Sequence, residues 1–208
     1  YQLSLVKAYT HGDLGQVYPI ARGISPLLLI FVSSLWIGEE LSTNTIFAII
    51  LITLGIFSII FNREKILSYS FRPIFYAILT GFFIASYTIA DGLGVRYSGN
   101  SFSYVMWLMA LEFWPLLVVT IFKRKNLLLS SLKQNWRFAL PGGIFSVASY
   151  GIVVWAMQHS QIALVAALRE SSIVIAALLS IMILKEETTY RHFFAVLMVG
   201  LGVILSRT

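Results

Sequence analysis

The chain has 208 residues, of which 58% are hydrophobic and 12% are charged, and its formal net charge is +6. Soluble domains are about 45–50% apolar and about 25% charged, so this composition excludes an ordinary soluble fold and indicates an integral membrane protein. The chain contains no cysteine, which excludes disulfides and thiolate metal sites.

Apolar runs of helical length follow one another along the chain. A hydrocarbon core about 30 Å thick takes roughly 20 residues of helix. By this measure residues 1–10 form a partial span, and the full spans are 16–38, 43–61, 73–95, 101–122, 138–157, 161–184 and 188–206. The sequence therefore predicts an all-α polytopic membrane protein with about seven full transmembrane helices plus a remnant.

The sequence repeats itself at a shift of 147 residues, the distance from Arg22 to Arg169. Chance matches among apolar residues are common, but polar residues also match in this register without gaps. The further pairs are Ser25 with Ser172, Ser33 with Ser180, Glu39 and Glu40 with Glu186 and Glu187, and Gly55 with Gly202. The helices 16–38 and 43–61 therefore recur as 161–184 and 188–206.

The repeating unit is predicted to contain five helices, because five helix-to-helix steps lead from 16–38 to 161–184. An odd number of helices means that the second copy crosses the membrane upside down. Residues 1–61 would be the C-terminal part of the first repeat, 62–72 a connecting loop and 73–206 the second repeat. Inverted repeats build many secondary transporters, with substrate bound near the midplane at the repeat interface.

Both copies resemble the EamA-type branch of the drug/metabolite transporter superfamily. The end of the first repeat in that family is resembled by the stretches "GDLGQVYPIARGISPLLLIFVSSLWIGEELS" and "LITLGI" of this chain. Its second repeat resembles "ASYTIADGLGVRYSG", "LPGGIFSVASYGIVVWAMQHSQIALVAALRESSIVIAALLSIMILKEE" and "VLMVGLGVIL". The resemblance implies a ten-helix carrier, often an exporter of amino acids, other metabolites or toxic compounds. About two helices would then precede Tyr1.

The two matched arginines are the main candidates for binding substrate. Arg22 and Arg169 each lie about 10 Å inside a predicted span, and Ser25 and Ser172 follow one turn later on the same face. A stripe that faces a cavity would offer an anion or carboxylate two pseudo-symmetric ligands. The alternative is that each arginine reaches the headgroups from this depth. Glu170 would lie about 100° from Arg169 around a helix, so a counter-ion is expected on another helix instead.

Two acids within the predicted spans are candidates for proton coupling. Glu112 lies midway along 101–122, and Asp91 lies about three-quarters of the way along 73–95. An ionised acid at such depth is costly, which suits a group that carries a proton. Glu112 could instead pair with an arginine, and Asp91 could simply end a helix at Gly92.

Aromatic residues near these acids are candidates for lining a cavity. Most tryptophan and tyrosine residues of membrane proteins belong to interfacial belts. Tyr87 and Trp107 lie deeper than a belt would place them, so both are added to the predicted substrate-binding residues.

Two further predictions concern where helices break and begin. Pro19, Gly23 and Pro26 could break the first span near Arg22. The Glu-Glu pairs are expected to stabilise the N-terminal ends of the helices that follow them, with Ser42 as a cap.

These features together predict a secondary-active exporter of small metabolites such as amino acids or related polar or amphipathic compounds. The alternative is a receptor or scaffold in which the polar residues only pack helices. The sequence has no nucleophile-and-base motif or metal-ligand set, so no enzyme, cofactor or metal is expected. The expected partners are a small-molecule substrate, the lipid of the plasma or inner membrane, and a coupling proton or exchanged substrate. No nucleic acid is expected, because the basic residues lie mainly in loops between spans.

Overall fold

The computed structural model of the chain describes Ser4, Leu5, Lys7 and residues 14–60, 71–184 and 190–207. Regular structure in these ranges is entirely helical, which confirms the predicted all-α membrane fold. Most of the remnant 1–10 and of the loop 62–72 lies outside the described residues. The helices are α1 (Leu14–Val32) with a π-helical turn (Ser33–Ile37), α2 (Thr43–Ile60), α3 (Phe71–Ser98), α4 (Ser101–His159), α5 (Ile162–Glu170), α6 (Ser172–Leu184) and α7 (Tyr190–Leu205).

Among the described residues, six helical segments are apolar enough to be considered as membrane segments. Four are long and apolar enough to cross it: Ile20–Ile37, Arg72–Ser98, Ser101–Phe122 and Lys133–His159. Two are shorter, Thr43–Ser58 and Tyr190–Leu205. The chain divides into two compact units: unit 1 comprises the described residues up to Ala90 and from Ser160 onward, and unit 2 comprises Asp91–His159.

In unit 1, α1 is not broken at its prolines. The helix continues through Pro19 and Pro26 to Val32, so the predicted break near Arg22 is wrong. Helices in lipid tolerate proline when neighbouring groups satisfy the freed carbonyl groups. The helix widens later, at the π-helical turn, and ends at Gly38, whose φ of 74° is the left-handed conformation that ends helices.

Helices α2 and α7 of unit 1 approach closely through two glycines. A Cβ atom on Gly55 would lie 3.0 Å from the carbonyl oxygen of Ala195, and one on Gly202 would lie 2.9 Å from that of Ala48. Residues near the C-terminal end of each helix thus face residues near the N-terminal end of the other, so the two helices run antiparallel. The 147-residue shift relates Gly55 to Gly202 and Ala48 to Ala195, so the two contacts exchange under that shift.

The helical run of α4 in unit 2 doubles back on itself. A straight helix would separate Tyr104 from Tyr150 by about 69 Å, at about 1.5 Å per residue. Both hydroxyl groups nevertheless contact the carboxylate of Asp91, so the chain reverses direction between them. The point midway between the two tyrosines lies near residue 127, inside the predicted connection between the spans 101–122 and 138–157.

The two arms of α4, Ser101–Phe122 and Lys133–His159, carry mostly exposed apolar side chains. Of an apolar 18-residue window in each arm only 6% is buried, against 39% of the corresponding window in the α3 span Arg72–Ser98. Large apolar side chains exposed along a helix long enough to cross a bilayer are expected to face lipid. Examples are Phe102, Leu111, Trp114, Phe122, Phe145 and Ile152.

The predicted span 161–184 consists of two helices. Helix α5 ends at Glu170, and α6 begins at Ser172 after a turn at Ser171. The hydroxyl group of Ser171 donates to the carbonyl oxygen of Leu168 at 2.6 Å. Such local bonds compete with the helical ladder and give serine its preference for helix ends. The prediction of one continuous helix is therefore wrong.

The predicted helix caps are partly confirmed. Ser42 caps α2, because its Oγ accepts a hydrogen bond from the backbone N–H of Thr45 at 3.1 Å. Glu39 also reaches a helix other than the one that follows it. Its two carboxylate oxygens each lie 3.1 Å from the backbone nitrogen of Ile162, the first residue of α5. Glu186 and Glu187 lie outside the described residues.

Candidate functional site

The two matched arginines of unit 1 meet at one buried carboxylate. Arg22 Nη1 lies 3.1 Å from both carboxylate oxygens of Glu170. Arg169 donates to Glu170 Oε1 from Nη2 at 2.9 Å and from Nε at 3.2 Å. The Glu170 side chain is 1% exposed, whereas those of Arg22 and Arg169 are 25% and 15% exposed. We call these three residues the Arg22–Glu170–Arg169 cluster.

Glu170 is the residue of this cluster that sequence reasoning missed. Its angular separation from Arg169 suggested that the two could not share a face, and that prediction is wrong. Glu170 is the last residue of α5, and the chain turns directly after it. The counter-ion of Arg169 was expected on another helix, but Glu170 is its neighbour on α5, and Glu170 also pairs with Arg22 of α1. The sequence signal that could have identified Glu170 is the presence of an acidic residue within a long apolar run.

Among the other predicted residues of unit 1, Tyr87 is half-buried and Ser25 is buried. The guanidinium of Arg169 lies over the Tyr87 ring, 6.0 Å from its centroid, which is within cation–π range. Ser25 is 1% exposed, and its hydroxyl group has no hydrogen-bond partner among the described residues. Ser172, by contrast, is exposed at the start of α6, and its role in binding substrate stays a prediction.

The charges of this cluster do not balance. Two guanidinium groups share one carboxylate, so the three side chains together carry a surplus positive charge. Guanidinium groups only donate hydrogen bonds and match carboxylate or phosphate in a bidentate geometry. The cluster can therefore bind an anionic group, and it joins α1 of the predicted first repeat to α5 of the second.

A second polar cluster lies in unit 2 around Asp91. The hydroxyl group of Tyr104 donates to Asp91 Oδ1 at 3.2 Å, and that of Tyr150 donates to Oδ2. Asp91 itself is 7% exposed. Asp91 does not end α3, which continues to Ser98, so the prediction that it could end a helix is wrong. Neither tyrosine was among the predicted site residues.

Comparison with known proteins identifies the family. The EamA-like transporter family matches residues 71–208, about two thirds of the chain. The chain belongs to the EamA-like transporter family. A comparison with curated proteins finds no match. Family membership and the long apolar helices make this chain a multi-pass membrane protein of a transporter family.

The remaining predicted residues of this EamA-like transporter lie on the first arm of α4. Glu112 and Trp107 are both exposed, with 68% of Trp107 accessible. Their neighbours are exposed apolar residues such as Leu111 and Phe113. The substrate role of Trp107 and the coupling role of Glu112 remain predictions.

No metal centre is built into the part of this EamA-like transporter that the structure describes. The described residues contain no group of three or more histidine, cysteine, aspartate or glutamate side chains that could hold an ion. The chemistry that these residues offer is ion pairing at Arg22 and Arg169 and hydroxyl–carboxylate bonding at Asp91.

Proposed function

We propose that this protein is a secondary-active exporter of small metabolites that carry a carboxylate, such as amino acids or related polar and amphipathic compounds. It acts in the plasma or inner membrane. Substrate enters a cavity between the two repeats and places its carboxylate against Arg22 and Arg169. The export direction follows from the resemblance of the sequence to EamA-type carriers.

The observation that carries this proposal is that the guanidinium groups of Arg22 and Arg169 meet at one buried carboxylate, that of Glu170. Each guanidinium has five N–H donors in a fixed fork and no acceptor, so a pair of them in one place is suited to an anionic substrate group. Bidentate guanidinium–carboxylate bonds then give geometric selection as well as affinity.

Buried hydroxyl groups on α1 and its π-helical turn add to this argument. Ser25 follows Arg22 by one helical turn, and Ser33 lies further along the same stripe at 0% exposure. Neither hydroxyl group has a hydrogen-bond partner among the described residues. Most buried polar side-chain atoms are paired, so each such group needs an explanation. A polar substrate would provide the missing partner.

The antiparallel packing of α2 against α7 supports an inverted-repeat carrier. The contacts of Gly55 and Gly202 exchange under the shift that relates Arg22 to Arg169. A local two-fold axis in the membrane plane relates the halves of such carriers, and substrate binds where the halves meet. The Arg22–Glu170 contact joins the same two repeats.

The test compares spent medium from cells that express the protein, its Arg22→Gln variant, its Arg169→Gln variant and a matched control. The control is Arg137→Gln, because Arg137 is exposed and stacks on its neighbour Trp136. Untargeted mass spectrometry should find one class of carboxylate-bearing compounds that accumulates with wild type and control. Both cluster variants should export about tenfold less or worse, since each loses charge-assisted hydrogen bonds.

A double variant separates substrate binding from folding. Arg22→Gln combined with Glu170→Gln removes one ion pair as a neutral whole and leaves Arg169. If transport fails while membrane abundance is normal, the arginine acts on substrate. If the single variants disappear from the membrane and the double variant restores both abundance and activity, the cluster only packs helices. A receptor or scaffold would then be favoured.

A further inference from the structure

Two buried hydroxyl groups flank the Arg22–Glu170–Arg169 cluster, one on α1 and one on α3. Ser25 and Thr88 are each 1% exposed, and neither hydroxyl group has a hydrogen-bond partner among the described residues. We infer that these two residues, the Ser25–Thr88 pair, bind a neutral polar group of the substrate, a hydroxyl or a carboxamide, beside its carboxylate. The inference rests on the proposed function for the identity of the ligand, whereas the open hydroxyl groups do not depend on it.

Thr88 differs from other hydroxyl-bearing residues of α3. Serine and threonine inside a helix commonly bond the carbonyl oxygen three or four residues back. Thr80 donates to the carbonyl oxygen of Tyr76 at 2.7 Å, and Ser86 donates to that of Phe82 at 2.9 Å. The Thr88 hydroxyl group makes no such bond, although it is buried. It is therefore available to a ligand.

The helices that carry these two hydroxyl groups, α1 and α3, pack directly against each other. Ala77 of α3 contacts Ile20 of α1. One turn further along α3, a Cβ atom on Gly81 would lie 2.9 Å from the carbonyl oxygen of Ala21 and 3.2 Å from Ile24 Cβ. The residue numbers increase together along this junction, so the two helices run side by side in the same direction.

Ser25 and Thr88 lie further along the same junction. Ser25 follows Ala21 by one helical turn, and Thr88 follows Gly81 by two. At about 100° per residue, positions one or two turns apart in this way point within about 40° of each other. Both side chains therefore lie on the sides of α1 and α3 that meet, which agrees with their burial.

The Ser25–Thr88 pair also borders the two arginines. Ser25 follows Arg22 by one turn of α1. Thr88 follows Tyr87 directly, and the Tyr87 ring lies with its centroid 6.0 Å from the guanidinium of Arg169. A substrate whose carboxylate lies against the arginines thus brings its other atoms close to these hydroxyl groups.

The chemistry of two hydroxyl groups favours a neutral ligand group over a second ion. A buried ion needs an opposite charge, which neutral hydroxyl groups do not supply. A hydroxyl or carboxamide group both donates and accepts hydrogen bonds, as do serine and threonine. Such a group can therefore bond Ser25 and Thr88 at once.

Thermal unfolding without substrate tests whether the hydroxyl groups lack a partner in the protein. Thr88→Val keeps the shape of the side chain and removes a buried group without a partner, so the melting temperature in lipid vesicles should rise by about 2–4 °C. Thr80→Val is the matched control on the same helix and should lower the melting temperature, because its hydroxyl group contacts Ser4 and Tyr76. An unchanged or lower melting temperature for Thr88→Val overturns the inference, since the hydroxyl group would then be bonded to the protein or to a resident water.

Vesicle exchange of paired probes tests whether the ligand is part of the substrate. Vesicles preloaded with unlabelled amino acids take up carbon-13-labelled threonine, valine, asparagine and leucine. Valine has the shape of threonine without its hydroxyl group, and leucine has that of asparagine without its carboxamide. Wild type should take up the polar member of at least one pair about tenfold faster. Thr88→Val and Ser25→Ala should each lower that ratio about threefold or more, whereas Thr88→Ser and Thr80→Val should keep it.

The outcomes separate this inference from the proposed function. Equal ratios in wild type and Thr88→Val, or a ratio that falls as far in Thr80→Val, overturn the role of the pair, while exchange that depends on Arg169 leaves the proposed function standing. If wild type exchanges none of the four probes, the proposed function fails for amino acids and the substrate role of the pair fails with it. The melting temperatures then still decide whether the two hydroxyl groups are open to another polar ligand.

Discussion

The two units of this chain each bury a charged cluster, but they compensate the charge in different ways. In unit 1, two arginines that can only donate hydrogen bonds contact Glu170. In unit 2, two hydroxyl groups that can donate or accept contact Asp91. The contacts to Glu170 require an acceptor at that position, whereas the contacts to Asp91 can be kept by a group that also donates.

The sharpest test of this contrast is the same change at both sites, from carboxylate to amide. Glu170→Gln leaves two guanidinium groups without their counter-ion and should lower the free energy of unfolding by about 3–5 kcal/mol. Asp91→Asn removes a charge but keeps a group that can bond both tyrosine hydroxyls, so its effect should stay below about 1 kcal/mol. Thermal unfolding in the same lipid or detergent measures both.

Restoring the charge balance provides the control for Glu170→Gln. Adding Arg169→Gln to that variant should recover part of the lost stability, because one surplus guanidinium disappears with the carboxylate. Equal losses for Glu170→Gln and Asp91→Asn would mean that the two clusters do not differ in how they compensate charge.

The second test concerns how the helices of each unit approach one another. Gly55 and Gly202 lie against backbone carbonyl oxygens, which cannot move aside, whereas Gly94 lies against the far end of the Tyr104 side chain. Gly202→Ala and Gly55→Ala should therefore each cost about 1–3 kcal/mol of unfolding free energy. Because the two contacts are related by the repeat, the two costs should be similar.

Gly200 is the matched control for Gly202, since it lies on the same helix and a Cβ atom added there would meet no described neighbouring group within 4 Å. Gly200→Ala should stabilise the protein by about 0.5–1 kcal/mol, because alanine favours the helix. A cost at Gly200 as large as that at Gly202 would show that helix α7 packs differently in the membrane.

In unit 2 the equivalent substitution should act on the site more than on stability. Gly94→Ala should cost less than about 1 kcal/mol, since the Tyr104 ring can swing away from the new methyl group. The swing moves the hydroxyl group away from Asp91, so the infrared band of the Asp91 carboxyl group, identified by its loss in Asp91→Asn, should shift as it should in Tyr104→Phe. An unshifted band would mean that the ring keeps its place and that another segment moves instead.

The sequence predicted the features of this fold that depend on local pattern. Span length and apolar content located the helices, and the 147-residue repeat alone related Arg22 to Arg169, which the fold brings to one carboxylate. Ser42 could be predicted as a cap because cap geometry depends on neighbouring residues alone.

The sequence did not predict contacts that depend on a helix end or on a distant element. Adjacent positions of a helix point about 100° apart, but the long side chains of Arg169 and Glu170 still reach one another. Tyr104 and Tyr150 are far apart in the sequence and meet at Asp91 only because α4 doubles back. Glu39 was expected to act on the nearest helix, and its contact with α5, far along the chain, was not predicted.

The contact of Glu39 with α5 gives the smallest expected effect and tests how the two predicted repeats join within unit 1. Helix α5 begins without a cap from the side chain of its preceding residue, Gln161, and the carboxylate of Glu39 accepts from the N–H of Ile162 instead. Glu39→Ala should cost about 1 kcal/mol locally, a typical cost for a lost cap, and speed amide exchange at Ile162 about fivefold. Glu40→Ala is the matched control, because Gln161 bonds the backbone carbonyl of Glu40 and not its side chain. If amide exchange at Ile162 rises equally in both variants, helix packing protects this amide. The carboxylate of Glu39 would then contribute nothing specific to the junction between the predicted repeats.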